Sequence, residues 1–120
     1  MLRSIWAACL GIGTATHVQA IWKHGVLWDY GGAPIFSRLF WTSLAFVDPL
    51  AALLLFSKPR VGIALTLAII ITDVVHNAWF LRRADSPFWT NWMFLAQLAF
   101  LLFVVLTTRS VWPVDRRGQA

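Results

Sequence analysis

The chain has 120 residues, 59% of them hydrophobic and 12% charged, with a mean hydropathy of +0.69. A soluble domain carries about 25% charged residues, so this composition excludes an ordinary soluble fold and points to a lipid bilayer. The formal net charge of +5 comes from basic residues at the ends of apolar runs, with no basic block or aromatic–basic interleaving suited to nucleic acid.

The first apolar run, residues 5–22, carries Thr14, Thr16, His17 and Gln19 in its second half. Gly13 and His17 are one helical turn apart, so the imidazole can approach a neighbour across a glycine groove. The same run also has features of a signal peptide: Arg3, an apolar stretch, then Val18-Gln19-Ala20 as a loose cleavage site. Cleavage there would leave three spans and remove His17. Cys9 is the only cysteine, which excludes an intrachain disulfide and any thiol–disulfide enzyme that needs a cysteine pair.

Residues 23–38 form the longest break. Their Trp28-Asp29-Tyr30-Gly31-Gly32-Ala33-Pro34 segment is expected to be an interfacial loop with a Gly/Pro turn. The second run, 39–56, contains Thr42, Ser43 and the pair Asp48-Pro49. Proline within a helix removes an amide donor and displaces the carbonyl four residues earlier, that of Ala45. A tight basic turn at 57–60 then forces an antiparallel hairpin with the third run, 61–81.

That third run has a polar stripe. Gly62, Thr66, Asp73 and Asn77 fall along one side of a helix, with His76 beside them. Lipid offers no hydrogen bonds, so the stripe should face the bundle interior, and Gly62 with Thr66 should allow close helix contact. The fourth run, 88–108, has Asn91 and Gln97 on different faces and is otherwise apolar, so it is expected to form an outer wall. Residues 110–120 read as a polar cytoplasmic tail.

Each run meets the roughly 20 residues needed to cross a ~30 Å hydrocarbon layer. The expectation is therefore an all-α fold: an integral membrane four-helix bundle, one domain over 1–109, with a longer outer loop between its first two helices. Arg3, Lys58, Arg60, Arg109, Arg116 and Arg117 lie on one side, against Lys23, Arg38, Arg82 and Arg83 on the other. The basic excess favours cytoplasmic termini, as in a bacterial inner-membrane protein. Six of the eight tryptophans, Trp22, Trp28, Trp41, Trp79, Trp89 and Trp92, then share the outer boundary. Indole rings anchor at headgroups in any membrane protein. Their excess on one side also suits a roofed pocket, with Trp28, Tyr30, Trp41 and Trp79 as its lining.

Asp48 and Asp73 are the residues that carry most chemistry. A carboxyl at a bilayer centre costs about 2.5–3.5 kcal/mol on insertion scales, so it requires a partner, a proton or a function. Counted from the basic turn, Asp48 lies ~15 Å up its helix and Asp73 ~20 Å, close enough to meet and share one proton. The expected ligand or proton site comprises Asp48, Asp73, His76, Asn77 and His17. It suits a small or lipid-like ligand, with binding coupled to protons.

An acid–base enzyme acting on a lipid-soluble substrate would use the same inventory. An assembly subunit of a membrane complex would use the acids only to hold helices together. No nucleophile elbow, phosphate loop or metalloprotease pair occurs, so the balance leans away from an enzyme. No metal or other cofactor is expected. Haem held axially by His17 and His76 from different helices is the alternative. The expected partners are the lipid bilayer, the ligand, and a second copy or a membrane-complex partner.

Overall fold

The computed structural model describes residues 1–114, and among these all regular structure is helical. Four α-helices follow in order: α1 Leu2–His24, α2 Ile35–Ser57, α3 Pro59–Arg83 and α4 Trp92–Val111. Each packs against the next in sequence, and α4 returns to touch α1. Residues 115–120, including Arg116 and Arg117 of the expected tail, lie outside the described residues.

Local chemistry sets the helix ends. α1 stops at Gly25, whose φ of 85° suits glycine and whose N–H reaches the Ile21 carbonyl at 2.8 Å. Lys23 and His24 in its last turn complement the negative end of the helix dipole. α3 opens with Pro59 in its first turn, where a missing N–H removes no intrahelical bond. α4 starts at Trp92, inside the apolar run that begins at residue 88. Phe88–Thr90 after Pro87 form a 3₁₀ turn, and the Asn91 side chain accepts the Phe94 N–H at 2.9 Å as an N-cap.

Helices α2, α3 and α4 are each long and apolar enough to cross a membrane. α1 has 23 residues, as many as α2, but does not reach the same hydropathy. Its Thr14, Thr16, His17 and Gln19 account for the deficit, and composition therefore supports three spans where four were expected. α4 buries only Phe94, Val104 and Val111, leaving Leu102, Val105 and Leu106 exposed. An apolar face of that extent suits contact with lipid or another protein better than contact with water.

The buried core runs the length of the bundle, from Trp6 and Val111 at one end to Trp41, Leu81 and Phe94 at the other. Trp6, Leu55, Ile63 and Val104, one from each helix, are fully buried in the half that holds both helix-bundle termini and the α2–α3 turn. There α1 and α4 are tied by two hydrogen bonds. The Trp6 indole donates to the Thr107 hydroxyl at 2.9 Å, and Arg3 Nε donates to the Val111 carbonyl at 3.0 Å. α2 and α3 approach closely at Gly62, where an added Cβ would overlap the Leu54 and Leu55 backbone. Thr66 completes that contact; it is fully buried and its hydroxyl donates to the Gly62 carbonyl at 2.8 Å.

Candidate functional site

The polar stripe of α3 is occupied as its spacing requires. Asn77, one turn beyond Asp73, donates from Nδ2 to Asp73 Oδ1 at 3.0 Å and to Gln97 Oε1 at 2.8 Å. Its Oδ1 accepts from the Trp41 indole at 2.9 Å. One amide thereby joins α2, α3 and α4. Gln97 lies outside the expected site, in which the fourth helix is an apolar outer wall. The signal was present: Gln97 is the one polar side chain between Trp92 and Thr107, and such a group in an apolar helix needs a partner.

Asp48 is placed differently. It is 5% exposed, and its Oδ1 is buried with no hydrogen-bond partner. Its other carboxyl oxygen, Oδ2, lies against α1 at Gly13, where an added Cβ would stand 2.8 Å away. The missing side chain at position 13 makes the space the carboxyl uses. An unsatisfied buried acceptor costs about 1–3 kcal/mol, so this arrangement is expensive unless something else supplies a donor.

Asp48 and Asp73 line one chamber of about 230 Å³. Its remaining walls include Gly13 and His17 of α1, Ile70 of α3, and Met93 and Phe100 of α4. Ile12 and Met93 line this chamber while being 67% and 44% exposed, so it reaches the surface between α1 and α4. No lysine or arginine lines it.

A second, larger chamber of about 640 Å³ adjoins the first; Thr16, His17, Met93 and Gln97 border both. Trp28, Tyr30 and Trp41 form part of its wall, and Lys23, His24 and Asn91 also border it. Of the four aromatic residues expected to line a pocket, Trp79 alone is not on this wall.

The α1–α2 loop builds the aromatic side. His24 stacks on Trp28 at 3.7 Å between ring centroids, Trp28 meets Tyr30 at 4.5 Å, and Tyr30 meets Trp41 at 4.6 Å. The series leads from the loop to Trp41, and through the Trp41 indole to Asn77 and Asp73. Tyr30 has φ 49°, a left-handed conformation that bulky residues rarely adopt. The flanking rings hold it there, and Asp29 closes the turn by accepting the Gly31 N–H at 3.1 Å. Arg38 adds a clamp, donating from its guanidinium to the Leu27 carbonyl. Partial burial raises the Tyr30 phenol above its ordinary value.

His76 faces another way. Three residues beyond Asp73, it lies about 100° around the helix from Asn77. Its ring packs against Phe36, Phe40, Trp41 and Trp79 at centroid distances of 4.9–5.8 Å. Its Nε2 is buried without a hydrogen-bond partner, and it borders neither chamber. Trp79 belongs to this cluster, with the Arg83 guanidinium 5.5 Å from its ring. Of the expected site, Asp48, Asp73 and His17 therefore line one chamber, Asn77 borders the larger one, and His76 stands apart. His17 and His76 share no chamber.

The chain matches no protein-family model, no curated protein and no solved structure.

Proposed function

We propose that this is a four-span integral membrane protein of the bacterial inner membrane type, with cytoplasmic termini, that binds a small or lipid-like molecule between α1 and α4. The observation that carries the reading is the buried, unpartnered Asp48 oxygen in a chamber that opens between exposed apolar side chains. Ligand sites are mostly apolar concavities with a few polar groups that fix orientation, and this lining has that character.

The placement of α1 as the fourth span is supported by where its polar groups lie. Thr16, His17 and Gln19 border the larger chamber, and Thr16 and His17 are partly buried, which supports meeting their cost inside the protein rather than in lipid. The six tryptophans expected at one boundary then divide. Trp22 and Trp89 are free to anchor in headgroups, while Trp28 and Trp41 wall the cavity.

The test is to purify the protein in lipid nanodiscs and analyse co-purified small molecules by mass spectrometry. A molecule retained by the unaltered protein and lost in Asp48→Asn supports the reading. A stoichiometric protein partner, with both aspartates tolerant of replacement by asparagine, would favour an assembly subunit instead. His17 bordering the same chamber as the two carboxyls favours one second reading, acid–base chemistry on a lipid-soluble substrate. Turnover of a membrane-lipid extract by the purified protein, abolished in His17→Gln, would establish it.

A further inference from the structure

We propose, resting on the binding reading above, that the molecule is a lipophilic primary amine. Its ammonium head would bind at Asp48 and its hydrocarbon tail would leave between α1 and α4.

His17, Gln97, Trp92 and Cys9 stand in the wall of the inner chamber, yet none of these donors serves Asp48 Oδ1. Asp48 Oδ1 has no donor, and the Asp73 carboxyl stands in the same wall. The Thr16 hydroxyl, also in that wall, already donates to the Gly13 carbonyl at 2.8 Å. The Asn77 amide nitrogen donates to both Asp73 and Gln97. With no lysine or arginine in the lining and no lining donor on Asp48 Oδ1, a ligand that brings hydrogen-bond donors and positive charge complements this wall. An ammonium group brings three donors and a full charge in a compact head.

The walls define the rest of the molecule. Leu10, Ile69, Ile70 and Phe100 offer the head-bearing end of a chain apolar contact. The gap at Ile12 and Met93 leads out between helices rather than along the bundle axis. The larger chamber has Lys23 on its border, which disfavours a cation arriving from that end. The route from the lipid side remains. A quaternary ammonium has charge but no N–H, so it leaves the Asp48 oxygen unsatisfied. An alcohol has one donor and no charge.

Equilibrium binding of decylamine, decanol and decyltrimethylammonium to the protein in phosphatidylcholine nanodiscs, with empty nanodiscs subtracted, tests this. Decylamine should bind saturably and at least about tenfold tighter than decanol, the lower end expected for a charge-assisted hydrogen bond. Decyltrimethylammonium should bind more weakly than decylamine. Asp48→Asn should erase the preference for the amine over the alcohol while circular dichroism stays unchanged.

Equal binding of decylamine and decanol would overturn the amine assignment and leave the cavity as a ligand site. Equal binding of the primary and quaternary cations would overturn the hydrogen bond to Asp48. Saturable binding of none of the three, with no co-purified molecule, would overturn both proposals. Should Asp48→Asn fail to fold, the ratio of amine to alcohol binding on the unaltered chain decides the question.

Discussion

The Asp48 carboxyl rests against Gly13 of α1, in space that any side chain at position 13 would claim. Gly13→Ala would bring a methyl carbon to 2.8 Å from Asp48 Oδ2, closer than packed atoms tolerate. The atom displaced is the end of a side chain, which can rotate away. The fold should therefore lose no more than about 1 kcal/mol, within the ordinary range for a point substitution. Ligand retention should fall several-fold, because the carboxyl no longer points as it did. Thermal unfolding and the nanodisc binding assay separate the two effects.

Gly62→Ala should behave in the opposite sense. The new methyl group would overlap the Leu54 and Leu55 backbone, which cannot turn aside without parting α2 from α3. Overpacking typically costs 1–3 kcal/mol, and a backbone clash belongs at or above the upper part of that range, about 3 kcal/mol. Unfolding in detergent would read this as a marked loss of stability. Retention of full stability would show that the helices are not as close as described.

Asn77 and Gln97 should not be equivalent. Asn77→Leu strands the Trp41 indole, the Gln97 carbonyl and Asp73 Oδ1 together, at about 2–3 kcal/mol for several unmet buried groups. Gln97→Leu removes one acceptor and leaves Asn77 still bound to Asp73 and Trp41, at about 1 kcal/mol. The double variant should cost clearly less than the sum of the two, since Gln97 has lost its partner already in Asn77→Leu.

Tyr30 is the only tyrosine, so its titration can be followed directly by tyrosinate absorbance. The folded protein should release this proton above the ordinary value of 10.0, because partial burial disfavours the charged phenolate. The unfolded chain releases it sooner. The stabilisation linked to Tyr30 is therefore complete below the ordinary value and is lost as pH rises through the higher folded value. A midpoint at or below the ordinary value would contradict the half-buried placement against Trp28 and Trp41.

Much of the framework could be read from the residues. Apolar run lengths located the helices, and the i, i+4 step from Asp73 to Asn77 placed both on the inward side. Gly62 and Thr66 marked the closest helix contact through their small volume. The side each residue faces was less accessible where two neighbours compete. His76 sits between the stripe and the α2-facing side, and four aromatic rings from α2 and α3 decided its direction. Gln97 was passed over because one polar group in a long apolar run gives no periodicity. Gly13 reads as a groove that admits a neighbour, but nothing in the chain tells that this neighbour is the Asp48 carboxyl of α2.

Among the described residues, the side-chain hydrogen bonds between the first and last helices, Trp6 to Thr107 and Arg3 to Val111, both lie at one extremity. Parting α1 from α4 at that extremity would break both bonds, whereas parting them at the other would break neither. A molecule that enters as proposed would therefore meet least resistance at the untied extremity, away from the bonds that hold the first helix to the last.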